Sequence, residues 1–400
     1  MADTKNDKNS NSPALRFPGF TEPWKPVTLG DITFNFSRRN KECKEYPMYS
    51  VTNHRGFIPQ NEQFEDREMV GEDIKSYKII EYGEFAYNPA RINVGSIARY
   101  IGSEPCMISS LYVCFKPSNE IDGSFLMQFL KSPKANFYYN ANGEGGVRIY
   151  LFYPNFARIR TAIPSLSEQR KISSLLSIID ERIATQRRLI EDFLSLRRAI
   201  LQDVIKRGLS KKSWKFTTLN DILTERGEKN SNGYDVFSVS VSEGVVNQIE
   251  YLGRSFAAKE TGHYNVARYG DIIYTKSPTG SFPYGIVKRD TQKEPAAISP
   301  LYGVFVPKED RIGILLGYYF ESEVNTFNYL HPIIQKGAKN TINITNSGFL
   351  ANSVPLPTDE SEALTLAKCL DTISNKIVLE KSVLAHYTEQ REYLLSKMFV

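Results

Sequence analysis

Cysteine, histidine and tryptophan are scarce in this chain of 400 residues, which has four, four and two of them. Cys43, Cys106, Cys114 and Cys369 are neither dense nor spaced as CxxC pairs, which argues against a disulfide scaffold or zinc ribbon and fits reduced, buried thiols. His54, His263, His331 and His386 form no HExxH or HxH pattern, so no metal site is legible. Long hydrophobic runs are missing as well. Nothing approaches the roughly 20 apolar residues of a spanning helix. The polar residues 1–15 lead into no apolar stretch, so a disordered N-terminal tail and a cytoplasmic, non-membrane protein are expected. The chain has no GxxxxGK[ST] phosphate loop, no Gly-rich cofactor loop, and no acidic pair beside a lysine of the kind a nuclease uses. Catalysis therefore belongs elsewhere.

A large charge of one sign is also absent. The net charge is +5, too small to announce a nucleic-acid partner by itself. Residues 166–212 do hold 11 Lys and Arg against 6 Asp and Glu, so charge permits DNA binding without requiring it.

What is present is duplication. Trp24-Lys25-Pro26-Val27-Thr28-Leu29-Gly30-Asp31-Ile32 returns as Trp214-Lys215-Phe216-Thr217-Thr218-Leu219-Asn220-Asp221-Ile222, six of nine identical at an offset of 190. Tyr82–Tyr87 answers to Tyr269–Tyr274, and Ile108-Ser109 with Tyr112 and Phe115 answers to Ile298-Ser299 with Tyr302 and Phe305. Repeats of this length exceed solenoid units, so each is a domain-sized body with its own core. The repeated aromatics, with Tyr87 and Tyr274, are expected in those cores.

Each repeat changes character at a proline, Pro164 and Pro355. Before it, short runs of Tyr, Phe, Ile and Val broken by Gly, Asn and Pro predict short strands and loops. After it, the spacing predicts a long helix. Ser165 with Glu168 suits a capping box, Thr358 suits a cap for the second helix, and Gly208 suits the end of the first.

Both helices carry a sustained heptad. Leu176, Ile183, Ile190, Arg197 and Val204 form one seam of the first, and Ile172, Ile179, Gln186, Phe193 and Ile200 the other. The second repeats them 194 residues on, as Leu370, Ile377, Leu384, Arg391, Met398 and Leu366, Ile373, Glu380, Tyr387, Leu394. This predicts an antiparallel coiled coil. Pairing positions that sum to 577 sets Arg197 opposite Glu380 and Gln186 opposite Arg391, making these four the expected register residues. A helix over 168–206 would be a stiff spacer of about 58 Å.

These residues resemble the specificity (S) subunit of type I restriction-modification systems across residues 14–400. The resemblance rests on Leu15-Arg16-Phe17-Pro18-Gly19-Phe20 leading into Trp24-Lys25 and Leu29-Gly30-Asp31, on the repeated Tyr-Gly-Asp-Ile and Ile-Ser elements, and on Pro164 followed by Glu168-Gln169-Arg170-Lys171-Ile172. The second copy departs from the last motif, reading Glu360-Ser361-Glu362-Ala363. The resemblance implies an α+β fold: two pseudo-repeated α/β target-recognition domains joined by two long helices forming an antiparallel coiled coil. The expected boundaries are a tail over 1–15, domains over 16–165 and 213–357, and helices over 166–208 and 358–399. It also implies a non-catalytic reader of double-stranded DNA that docks two methyltransferase subunits and, through them, restriction subunits. On that view this chain binds no cofactor, and S-adenosylmethionine, ATP and Mg act on the partners.

The repeats differ most in their loops. Residues 88–100 and 275–289 share little, so two different half-sites and an asymmetric, bipartite target are expected. Basic and amide residues on Gly-rich loops are the candidate DNA contacts. In the first repeat these are Arg91, Asn93, Arg99, Asn142 and Arg148, and in the second Lys276, Thr279, Lys288, Arg289, Lys336, Lys339 and Asn340. Tyr87-Asn88-Pro89-Ala90 partly resembles the Asn-Pro-Pro-aromatic element of adenine methyltransferases but lacks its second proline and its aromatic. Two rival readings remain open. One is a self-sufficient restriction or modification enzyme, and the other is a coiled-coil scaffold with two protein-binding domains.

Overall fold

The structure, a computed structural model, describes residues 12–60, 74–146, 148–254, 260–336 and 342–400. Most of the expected disordered tail lies outside the described residues. The chain forms two compact units, one of residues up to Gln186 with Val383–Val400 and the other of Arg187–Ser382. Each unit therefore holds one repeat together with an end of each long helix, so the helices are not bodies separate from the domains.

In the first unit an antiparallel four-stranded sheet runs in the order Thr33–Phe36, Val113–Pro117, Phe85–Tyr87, Ile97–Arg99. The second unit repeats it as Leu223–Glu225, Gly303–Pro307, Ile272–Tyr274, Val287–Arg289. A hairpin, Tyr49–Thr52 with Gly56–Pro59, has its counterpart in Phe237–Ser240 with Gly244–Asn247. The shared framework motif begins a strand in each case: Lys25–Thr28 pairs with Arg160–Ile163, and Trp214–Thr218 with Ser353–Pro357. The same order arises twice because the repeated blocks are the inward-facing strand residues.

Those blocks are the core. Tyr87, Phe115, Tyr274 and Phe305 are fully buried, while Tyr112 and Tyr302 are half-buried against smaller satellite clusters. Rings stack at matching places, Tyr87 on Phe156 at 5.3 Å and Tyr274 on Phe349 at 4.8 Å between centroids. Such pairs add roughly 0.5–1.5 kcal/mol to the area they bury. The thiols divide: Cys106 and Cys114 are buried, and burial pushes both up to about 12, whereas Cys43 and Cys369 are exposed, against expectation. Hydrophobicity scales place free cysteine inside, but position on a loop or an outer helix face overrides them.

The long helices span Leu166–Lys211 and Glu360–Lys397. None of their twenty seam positions is exposed, as the heptad predicts. In the first unit Ile172 and Leu176 share a core with Leu395, Met398 and Phe399. In the second unit Leu201 shares one with Leu366 and Leu370. Start meets end in both, so the helices run antiparallel within each unit. Among the described residues no helix is long and apolar enough to cross a membrane.

Three helix-end expectations change. The first helix continues through Gly208, which lies against the Trp214 indole, and ends at Lys212 in the left-handed region at φ 62°. Ser213 N–H then donates to the Gly208 carbonyl at 3.0 Å and Lys212 N–H to Leu209 at 3.2 Å, the paired bonds of a Schellman turn. At its start, Ser165 Oγ accepts from Glu168 N–H at 3.4 Å, but the Glu168 carboxylate turns to Arg16 instead of closing the box. The second helix is capped by Asp359, which accepts from Glu362 N–H at 3.1 Å, while Thr358 bonds the Ser213 carbonyl at 2.9 Å.

The register is also corrected. Arg197 donates to Ser374 at 2.5 Å and to Glu321 at 2.5 Å. Arg391 donates to Asp180, and to Gln128 at 3.2 Å. Both helix-to-helix pairs sum to 571 in place of 577. Glu380 pairs with Lys376 on its own helix, and Gln186 is buried. Pairing charges between helices alone misplaced the register because each seam arginine takes a partner from its own domain.

Candidate nucleic-acid interface

In the first unit the loop after strand Phe85–Tyr87 is wound tightly by its own backbone. Asn88 Oδ1 accepts from Ala90 N–H at 3.0 Å, Arg91 N–H donates to the Asn88 carbonyl, and a short 3-10 turn follows over Ile92–Val94. Gly95 closes it at φ +100°, and a Cβ there would meet the Asn53 carbonyl at 3.1 Å, so this position requires glycine. The Asn88-Pro89-Ala90 element is thus a structural turn. Arg91 is left exposed beside a cleft of about 380 Å3 that also takes Asn53, His54 and Gln60 from the hairpin and Tyr112 from the framework. Asn53, His54 and Gln60 were missed in the sequence, since only the folded hairpin brings them to Arg91.

The other first-unit candidates divide by their partners. Asn93 Nδ2 donates to Asn140 at 3.1 Å, and Asn142 Nδ2 donates to the Tyr138 carbonyl one turn back at 2.9 Å. Both amides retain acceptor oxygens. Arg148 is exposed, on a loop where Gly145 sits at φ +111° above the Arg148 carbonyl. Arg91 and Arg148 are therefore the open cations of this surface.

Arg99 and Arg289 are framework residues. They occupy matching strand ends, where the Arg99 guanidinium lies over Tyr82 at 5.8 Å and the Arg289 guanidinium over Tyr269 at 4.9 Å. Arg99 also donates to Ser124 at 3.0 Å and Arg289 to Asp310 at 2.5 Å, each at the start of the following helix. The Nε of both is buried without a hydrogen-bond partner.

In the second unit Lys276 adopts φ 59° beneath Gly285, and burial holds its ammonium below the usual lysine range. Thr279 bridges Phe282 by backbone and donates to the Ser277 carbonyl at 3.1 Å. Ser281 bonds Glu323, tying the loop to the helix Glu323–Leu330. Lys288 is depressed by burial near Glu321 and Arg197, on the side of the long helices. Lys336 ends the two-residue strand Gln335–Lys336, which pairs with Ile342–Asn343; Lys339 and Asn340 lie outside the described residues.

The surface so built sets exposed Arg91 and Arg148 on the loops of the first unit and half-buried Lys276 and Thr279 on a loop of the second, over a repeated β framework. Residues 21–192 match the type I restriction modification DNA specificity domain, which gives the class of the first repeat. Likeness of fold runs over nearly the whole chain. The S subunit of the type I restriction-modification system from M. genitalium aligns over 97% of this chain and 99% of that one, with a TM-score of 0.60 at 12% identity. A chain from a structural study of complex assembly and conformational transition in the type I system aligns over 96% and 98%, with a TM-score of 0.51 at 14% identity. No curated protein matches the sequence. Residues 21–192 are thus similar to that specificity domain, and the chain shares the fold of the type I S subunit.

Proposed function

We propose that the chain is the non-catalytic address reader of a type I complex, recognising an asymmetric, bipartite duplex target with one domain per half-site. The observation that carries this is unequal loops on equal frameworks. After the same strand, one unit builds the Asn88–Ser96 turn around exposed Arg91, while the other builds the loop around Lys276 and Thr279. Different donors at matching positions read different base edges. The methyltransferase subunits, two of them, dock on the paired helices, and restriction subunits join through the complex. S-adenosylmethionine, ATP and Mg belong to those partners. Arg91, Arg148, Lys276 and Thr279 lead the candidate contacts, with Asn93, Asn142, Lys336, Lys339 and Asn340 in support.

Methylation mapping of DNA modified by the reconstituted subunits tests the reading. An adenine-methylated motif with two unlike halves and a fixed gap is expected. A palindromic or continuous motif, or methyl transfer by this chain alone, would overturn it.

A further inference from the structure

At the end of each central sheet from which the reading loop leaves, the two repeats build the same turn. Tyr87 pairs with Val113 and Tyr274 with Gly303, so loop 88–96 and turn 109–112 share one end of the sheet in the first unit, as loop 275–286 and turn 299–302 do in the second. Tyr112 N–H donates to the Ser109 carbonyl at 3.2 Å, and Tyr302 N–H to the Ser299 carbonyl at 3.1 Å. Each serine hydroxyl accepts from the leucine N–H between them, at 3.4 Å from Leu111 and 3.3 Å from Leu301. A neighbouring strand pins the last carbonyl of the turn. Lys78 Nζ donates to Tyr112 at 2.5 Å and Asn265 Nδ2 to Tyr302 at 2.9 Å, from matching places opposite Ile108 and Ile298. The donor has changed between the repeats, and the bond has been kept.

What the pinned turn holds out is a leucine. Leu111 is 77% exposed and Leu301 70%, so packing inside the fold does not account for either. Turn chemistry does not ask for leucine either, since such positions are filled mainly by Gly, Pro, Asn, Asp and Ser. Other exposed apolar side chains shared by the repeats have company in the chain. Tyr82 and Tyr269 lie over Arg99 and Arg289, and Phe137 and Phe327 lie against Tyr138 and His331. The reading loops beside the two turns have diverged, while the leucine and its hydrogen-bonded frame have stayed the same.

We propose that Leu111 and Leu301 make a sequence-independent apolar contact to the duplex, each packing against deoxyribose beside the half-site that its domain reads. Sugar is apolar surface that every sequence offers, and contacts to the backbone position a reader without choosing bases. That suits a residue kept equal where the reading loops differ. Its place argues for DNA: Tyr112, the next residue in the chain, lines the same cleft as Arg91 and Asn53. The contact rests on the DNA-reading function and adds affinity to it without selecting a target.

The test measures duplex binding by the full chain with its methyltransferase partner, on target and unrelated duplexes over a range of salt. Leu111→Ala and Leu301→Ala should each weaken binding about tenfold, and the double variant more. The loss should be the same factor on both duplexes, with the salt slope unchanged because no cation is removed. Leu111→Met and Leu301→Met, which keep the apolar bulk, should restore most of the affinity, and melting temperatures should match the natural chain. A loss confined to the target duplex would assign the leucines to base reading, and weaker assembly with the methyltransferase in the absence of DNA would assign them to protein docking. Either result overturns the proposal, as does unchanged binding by the folded double variant while the natural complex binds duplex. If the natural complex binds no duplex at all, it is the reading function that fails, and the contact falls with it.

Discussion

Gln128 and Tyr318 hold corresponding places in the two repeats, and each hydrogen bonds to the same turn of a long helix, Gln128 to Asp180 at 2.9 Å and Tyr318 to Ser374 at 2.7 Å. A seam arginine from the other helix completes each group, Arg391 in the first unit and Arg197, whose guanidinium lies 4.7 Å from the Tyr318 ring, in the second. Each cluster therefore ties two helices and a recognition domain at one point. The coil's polar exceptions serve domain orientation as well as register.

Removing the domain's member should loosen this tie. Tyr318→Phe keeps the ring over Arg197 but loses the hydroxyl bonds to Asp371 and Ser374. We expect about 1–2 kcal/mol of destabilisation by denaturant unfolding. Gln128→Ala should cost a similar amount in the first unit, and wild-type stability in both would refute the tie.

Arg16 and Glu168 form a second anchor. The carboxylate is 1% exposed and receives two guanidinium bonds, at 2.7 and 2.8 Å. Arg16→Ala strands a buried charge, so a loss of about 3 kcal/mol is expected. Arg16→Ala with Glu168→Gln should recover much of it in the same melt, because the uncompensated charge is gone.

Asp290 makes the second unit sensitive to pH. It is fully buried, its Oδ2 has no hydrogen-bond partner, and burial, with Asp271 nearby, raises its pKa to about 6 despite Arg289. A raised carboxyl pKa means the native state holds the proton more tightly. Its contribution is complete below about pH 4 and is lost as pH rises through 6, amounting to about 3 kcal/mol by pH 7. Asp290→Asn should raise the melting temperature at pH 8 and change it little below pH 4. Equal shifts at both pH values would count against a buried titrating carboxyl.

Gly208 sits in a helix that alanine would ordinarily favour by about 1 kcal/mol. A Cβ there would come within 2.0 Å of Trp214 Cδ1, and Trp214 is buried with its indole N–H bonded to Glu362 at 2.8 Å. Overpacking should win, so Gly208→Ala is expected to destabilise by about 1–3 kcal/mol and to shift tryptophan fluorescence.

Arg91→Ala and Arg148→Ala should weaken duplex binding and lower its salt dependence without changing the melt, as loss of exposed cations predicts. Arg99→Ala and Arg289→Ala should do the reverse, lowering thermal stability first. Salt-dependent binding curves paired with melts separate the two groups.

The chain's own residues determined the duplication, the strand blocks and the helix seams, because each depends on local spacing: alternation in strands, seven-residue recurrence in helices, and a motif restated 190 residues later. They also singled out Arg197 and Arg391 as seam exceptions. They could not identify the partners, since Glu321 stands 124 residues from Arg197 and Gln128 stands 263 from Arg391. Tertiary structure alone decided that Arg99 and Arg289 pack over framework tyrosines and that Gly208 yields to an indole. Burial and ion pairing are settled by what lies nearby in space, and in this fold those neighbours come from distant parts of the chain.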